Sequence, residues 1–215
     1  MNPKLLRLYL VTDPGYLPHP RVLALLPGLV EAGVTLVQLR DKQADTRTLL
    51  DLAKAYLSVL RPRGVPLIVN DRADVAVASG ADGVHVGTSD LPAAAVRALT
   101  GSNAIVGVSV EQPSLPDQET MAAASYLAAS PVFSTPTKTD TAPALGLDGV
   151  RTLASTSPIP VVGIGGLHAD NAGALRATGA AGAAVVSAIL AADDPIAATR
   201  NLSVRVRSAP QEHAP

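Results

Sequence analysis

Residues 178–187 read TGAAGAAVVS, and the fold turns on how this run is parsed. A helical segment closes at a glycine, which ends helices by taking a left-handed backbone. A short turn follows, then a brief run of small and β-branched residues suited to a strand buried on both faces. The same grammar recurs at residues 31–40, EAGVTLVQLR, and at 78–87, ASGADGVHVG. Extended along the chain, it predicts eight strands near residues 8–12, 34–40, 66–70, 83–87, 104–110, 125–130, 159–164 and 182–187. Helical spacing fills most of the gaps. It is clearest at 46–60, where Leu49, Leu52, Ala53, Tyr56 and Leu60 share a face and Asp45 is placed to cap. Further helices fit at 73–79, 92–99, 148–155 and 171–177, with Pro92 as a first helical residue and Asp170 as a cap. Eight alternating strand–helix units predict an α/β fold, a single-domain (β/α)8 TIM barrel over residues 1–207; a doubly wound open sheet is the runner-up. The tail at 208–215 is expected to fray. One local conflict stands out: Pro27 and Gly28 fall inside the first helical pattern, which predicts a kink or restart near Leu26.

Composition narrows the function. Hydrophobic residues make up 47% of the 215 and charged ones 16%, so there is material for a core and little for disorder. A net charge of −1 with no cluster of basic residues leaves no electrostatic footprint for nucleic acid or a membrane surface. Aromatics at 2% argue against base stacking. The absence of cysteine rules out disulfides, thiolate zinc sites and cysteine nucleophiles. The opening residues read as a first strand interrupted by Arg7, not a signal peptide, and no apolar run is long enough to span a membrane. Small-molecule chemistry in the cytoplasm is the expectation, by a monomer or a homo-oligomer.

Barrel enzymes work at the C-terminal ends of their strands. The second strand ends QLRDK, and alternation puts Gln38 and Arg40 on one face, Val37 and Leu39 on the other. At the mouth, Gln38 and Arg40 suit a polar heterocycle and an anion. The third strand delivers Asn70 and Asp71, and the fourth delivers Asp90 just past its end. Each aspartate alone is a turn former or cap. Together at the mouth they suit a hard cation such as Mg2+, which takes one or two carboxylates plus phosphate oxygens and water. His85, between Gly83 and Gly87, reads as a hydrogen-bonded interior residue rather than a catalyst. Ser109 faces inward from the fifth strand. Gly165-Gly166 after the seventh strand, beside Val186-Ser187 after the eighth, describes a backbone phosphate cup. The proline-braced loop SPVFSTPTKTD at 130–140 supplies hydroxyls and one lysine between these two anion subsites.

In order and spacing, YLVTD, QLRDK, VNDR, ADGVHVGTSD, GVS, PVFSTPTK, GIGG and VVSAI resemble the thiamine-phosphate synthase (thiamine-phosphate pyrophosphorylase) family over residues 9–190. The resemblance implies a Mg2+-dependent transferase of thiamine biosynthesis on a (β/α)8 barrel. Such an enzyme displaces diphosphate from 4-amino-2-methyl-5-hydroxymethylpyrimidine diphosphate with the nitrogen of a thiazole phosphate. It implies that Gln38, Leu39, Arg40, Asp41, Lys42, Asn70, Ser109 and Lys138 hold the pyrimidine diphosphate, with Lys138, Ser109 and Arg40 acting at the reacting atoms. Asp71 and Asp90 would hold Mg2+. Thr135, Pro136, Thr137, Gly166, Val186 and Ser187 would hold the thiazole phosphate. Glu111 departs from the family pattern and is expected to face solvent or pair with a cation. Two rivals are a thiazole tautomerase on the same barrel and a catalytically silent barrel that binds a phosphometabolite.

Overall fold

A computed structural model describes residues 1–134 and 143–207. Its eight strands are β1 (Leu8–Val11), β2 (Leu36–Leu39), β3 (Leu67–Asn70), β4 (Gly83–Val86), β5 (Ile105–Val110), β6 (Tyr126–Ala129), β7 (Val161–Ile164) and β8 (Gly182–Val185). All are parallel, each pairs with the next, and β8 closes on β1 through Leu8–Ala183, Tyr9–Ala184 and Leu10–Val185. Closure excludes the open sheet. The helices are α1 (His19–Ala32), α2 (Thr46–Leu60), α3 (Ala73–Ser79), α4 (Ala93–Thr100), α5 (Gln118–Ala123), α6 (Gly146–Thr156), α7 (Ser187–Leu190) and α8 (Pro195–Arg207).

Period-two alternation divides the core into two shells. Leu8, Leu10, Val37, Leu39, Leu67 and Val69 pack outward against the helices. Tyr9, Val11, Leu36, Ile68, Tyr126, Ala128, Val162 and Ala184 fill the interior. The interior thus holds two of the chain's four tyrosines, both essentially fully buried.

Two local expectations are corrected, and of the kink or restart expected near Leu26 the restart is excluded. α1 runs through Pro27 without a restart. Leu26 and Leu29, on either side, are fully buried, and that packing outweighs the hydrogen bond Leu23 O loses to proline. Gly28 has its own reason: a Cβ there would lie 2.7 Å from Ile196 Cδ1, so the bare position lets α8 pack close. The segment expected as a helix at 171–177 is a 3-10 helix, Ala172–Thr178, preceded by Asn171 rather than capped by Asp170. Pro92 precedes α4 instead of starting it. Asp45 caps α2 as expected, accepting from Thr48 N at 2.8 Å.

Candidate active site

The C-terminal ends of the strands surround one cavity. Gln38, Arg40, Lys42, Asn70, Asp71, Asp90, Ser109, Gly166, Val186 and Ser187, all singled out in the sequence, line it together. Ala128, Ile164 and Ala184 supply apolar wall.

One rim is built from charged side chains. Arg40 follows β2, and its backbone exchanges two hydrogen bonds with the Thr12 hydroxyl, at 2.9 and 3.1 Å. Its guanidinium donates to Asp13 Oδ2 at 2.6 Å. Lys42 Nζ donates to Asp71 Oδ2, also at 2.6 Å. Asp71 sits in the left-handed region at φ 60°, the only such non-glycine among the described residues, and its N–H donates to His85 O at 2.8 Å. A non-glycine residue rarely adopts that backbone, and aspartate is among the types that tolerate it best. Burial raises the Asp71 pKa; Lys42 opposes the shift, and the neighbouring Asp90 adds to it. Asp90 itself is held by Gly87 N, which donates to its Oδ2 at 2.8 Å. Two carboxylates forced this close favour a proton, or a cation, between them. The residues present therefore fit a divalent metal held by two carboxylates and completed by substrate oxygens and water. Among the described residues no cluster of three or more acidic, histidine or cysteine side chains offers an all-protein cage.

The opposite rim is built from main chain. Gly165 and Gly166 follow β7 with φ of 99° and 64°. Asn171 clamps this turn: its Nδ2 donates to Gly166 O at 2.9 Å, and its Oδ1 accepts from His168 N at 2.8 Å. Val186 and Ser187 open α7, where the Ile189 and Leu190 N–H groups donate back to Val186 O at 3.2 and 3.0 Å, and those of Ser187 and Ala188 lie ahead of any carbonyl the helix can offer them. The bareness of Gly166 serves packing as well as any ligand. A Cβ there would lie 2.7 Å from Phe133 Cβ and from Ser134 O. Its positive φ and that crowding both demand glycine.

Two of the expected residues do not face the cavity. The Leu39 side chain is fully buried in the outer shell, and the residue does not line the cavity. The Asp41 carboxylate turns away, accepting from Gln43 N and Ala44 N at 2.9 and 3.1 Å and standing 3.3 Å from His19 Nε2. Burial lowers the His19 pKa, and Asp41 works against that shift. Asp41 thus shapes the loop that carries Lys42. Thr135, Pro136, Thr137 and Lys138 lie outside the described residues. Glu111 is partly exposed and does not line the cavity.

Four contributors escaped the sequence reading: Asp13, Tyr9, Tyr126 and Asn171. Asp13 had a usable signal, since it stands just past the end of the first strand, where a mouth residue belongs. Tyr9 lines the cavity, and Tyr126 is buried behind it. Gln38 Nε2 lies 2.6 Å from the Tyr9 hydroxyl, which lies 2.9 Å from that of Tyr126. His85 bridges Tyr126 and Ser109, as an interior hydrogen-bonded residue should, yet it also lines the cavity.

Fold and site together define a class: a (β/α)8-barrel enzyme whose mouth presents a rim of paired charged side chains opposite a glycine-turn, main-chain rim. Comparison with known proteins narrows it. Residues 8–189 match the thiamine monophosphate synthase family, and the chain belongs to it. It is 46% identical over 198 residues to the thiamine-phosphate synthase of Albidiferax ferrireducens, covering 92% of this chain and 90% of that one. It is likewise 46% identical over 208 residues to that of Chloroflexus aurantiacus, covering 97% and 95%. Among solved structures, it superposes on thiamine phosphate pyrophosphorylase from Pyrococcus furiosus with a TM-score of 0.83 and 35% identity, covering 95% of this chain and 96% of that one. A 3-hexulose-6-phosphate synthase, at 21% identity and a TM-score of 0.66, shares the fold alone.

Proposed function

We propose that the chain joins 4-amino-2-methyl-5-hydroxymethylpyrimidine diphosphate to 4-methyl-5-(2-phosphoethyl)thiazole, releasing thiamine phosphate and diphosphate. One observation carries this reading: a single cavity presents a side-chain rim for a highly charged anion and, across a hydrogen-bonding floor, a main-chain rim for a phosphate monoester. A tautomerase acting on the thiazole alone would leave Arg40, Lys42 and the aspartate pair without a task.

In this reaction the bond from the pyrimidine methylene to the diphosphate oxygen breaks, and its electrons leave with the diphosphate. The thiazole nitrogen supplies the lone pair for the new C–N bond, and no proton moves in that step. The site therefore needs charge stabilisation and alignment more than acid–base chemistry. Arg40 and Lys42 face the leaving diphosphate. Asp13 holds Arg40 at the mouth. Gln38, Asn70 and Ser109 orient the pyrimidine. Gly166, Val186 and Ser187 hold the thiazole phosphate, which sets the angle of attack. Thr135, Pro136 and Thr137 are assigned to that phosphate and Lys138 to the diphosphate by the family motif. Asp71 and Asp90 would hold Mg2+, which when bound neutralises charge on the diphosphate. No described helix is long and apolar enough to cross a membrane, which supports action on these substrates in the cytoplasm. The test is to incubate the purified protein with both precursors and Mg2+. Stoichiometric thiamine phosphate and diphosphate are expected; binding of both precursors without product would refute the assignment.

A further inference from the structure

Five polar side chains cross the barrel floor in one unbroken line. Gln38 Nε2 is 2.6 Å from the Tyr9 hydroxyl, Tyr9 is 2.9 Å from Tyr126, Tyr126 is 2.9 Å from His85 Nδ1, and His85 Nε2 is 3.0 Å from Ser109 Oγ. The order of protons along this line follows from its first member. An amide nitrogen donates and does not accept, so the Tyr9 oxygen accepts from Gln38. Either hydroxyl of the Tyr9–Tyr126 pair could donate; with Gln38 already donating to the Tyr9 oxygen, the buried Tyr9 hydrogen finds a partner among the described residues by going to Tyr126. Tyr126 has one hydrogen, and it goes to His85 Nδ1. A ring nitrogen that accepts carries no proton, so His85 keeps its hydrogen on Nε2 and donates it to Ser109. The Ser109 hydroxyl hydrogen is then directed away from His85, and Ser109 lines the cavity. At the other end, Gln38 has one N–H committed to Tyr9 and keeps its carbonyl oxygen as an acceptor.

Three observations show that the line is built rather than incidental. Gly107 lies on the strand between its members, and a Cβ there would fall 2.2 Å from Tyr126 Cζ and 2.4 Å from His85 Nδ1. The bare position is what allows the phenol to reach the imidazole. The rings are also aligned, with Tyr126 stacked on His85 at 5.6 Å and Tyr9 edge-on to Tyr126 at 6.0 Å. Burial pushes both phenols above the ordinary tyrosine range, so each keeps its single hydrogen. Phenylalanine would fill the same space without hydroxyls to desolvate; the hydroxyls must serve proton order.

We propose that Tyr9 and Tyr126 are positioning residues that fix the Nε2–H tautomer of His85, and so decide which groups on the cavity floor donate and which accept. The resulting pattern, a serine donor and a glutamine acceptor, fits a heterocycle with ring-nitrogen acceptors and an exocyclic amine. The inference deepens the function proposed above and rests on it for the identity of that heterocycle.

The tautomer can be read without substrate. In the 15N-labelled, ligand-free protein, the His85 signals, assigned by their loss in His85→Gln, should show a pyridine-like Nδ1 and a pyrrole-like Nε2. A pyrrole-like Nδ1 would mean the line runs in the opposite direction and would overturn the proposal. Tyr126→Phe keeps the ring and removes the link, so the His85 pattern should change. The KM for the pyrimidine diphosphate should rise about tenfold, the scale of one hydrogen bond, while the KM for the thiazole phosphate stays within about twofold. Equal shifts in both KM values, or an unchanged His85 spectrum, would make the hydroxyl merely structural and refute the role. Tyr9→Phe leaves the Tyr126–His85 contact in place and should perturb the spectrum less than Tyr126→Phe. If the wild-type protein forms no thiamine phosphate, the proposed function fails, and the wild-type and variant His85 spectra still decide the tautomer claim.

Discussion

The two rims of the cavity are built by opposite means. The rim after β2, β3 and β4 uses long charged side chains, each already paired: Arg40 with Asp13 and Lys42 with Asp71. The rim after β7 and β8 uses main chain, a glycine turn clamped by Asn171 and the first turn of α7. Paired charges can exchange partners as an anion arrives and departs, which suits a leaving group whose charge grows during the reaction. Fixed N–H groups suit a phosphate that keeps its charge and only has to be held still. Under the proposed function, catalysis would fall to one rim and positioning to the other, and substitutions can separate the two.

The largest effect is expected on the charged side. Lys138, assigned there by the family motif, should stabilise the departing diphosphate. Lys138→Ala should lower kcat by about 10²–10³, the cost typical of one preorganised transition-state group, with Tm nearly unchanged. Lys138→Arg should recover only part of the loss, because a planar fork does not replace a compact ammonium. A kcat for Lys138→Ala within about threefold of wild type would remove the lysine from the chemistry.

Asp71→Asn separates function from stability. The raised pKa of Asp71 means that the folded state holds its proton more tightly than the unfolded chain does. Stability from this group is fullest below the unfolded carboxylate pKa and is lost as pH rises through the folded one. At neutral pH the carboxylate is therefore a local cost, relieved by Mg2+ or by the neutral amide. Asparagine also tolerates the left-handed backbone found here. The variant should melt higher than wild type in metal-free buffer at neutral pH and gain less Tm from added Mg2+. It should also need more Mg2+ for activity. Identical Mg2+ dependence in the two proteins would reject the metal assignment.

The smallest effect is expected behind the main-chain rim. Asn171→Ala removes both hydrogen bonds that clamp the glycine turn without touching ligand. It should raise the KM for the thiazole phosphate a few-fold, about 1 kcal/mol in all, and leave the pyrimidine KM alone. Gly166 is a poor probe of the same rim, since any side chain there collides with Phe133 and Ser134 first.

Most of the fold was legible because buried parallel strands write themselves as short β-branched runs closed by glycines, and all eight were placed. Parity then sorted Gln38 to the cavity side of β2. The same parity set Leu39 on the other face, where the structure has it in the outer shell, against the cavity role that the family resemblance implied. What stayed hidden has no local signature. Tyr9 and Tyr126 are 117 residues apart, and their hydrogen bond exists only once the barrel closes. The family resemblance named Asp41 as a cavity residue with the rest of its motif; its turn toward His19 depends on α1 packing beside the loop. The uninterrupted α1 likewise reflects tertiary burial overriding a local breaker.

The division between the rims is tested most directly by measuring both substrate KM values in Lys42→Ala and in Ser187→Ala. Lys42→Ala should weaken the pyrimidine diphosphate and spare the thiazole phosphate. Ser187→Ala, which removes a cavity-lining hydroxyl and spares the main-chain N–H groups, should do the reverse by a few-fold, against about tenfold for Lys42→Ala. A crossed pattern of this kind is what two dedicated rims predict. Equal changes in both constants in both variants would contradict it and reduce the mouth to a single undivided anion site.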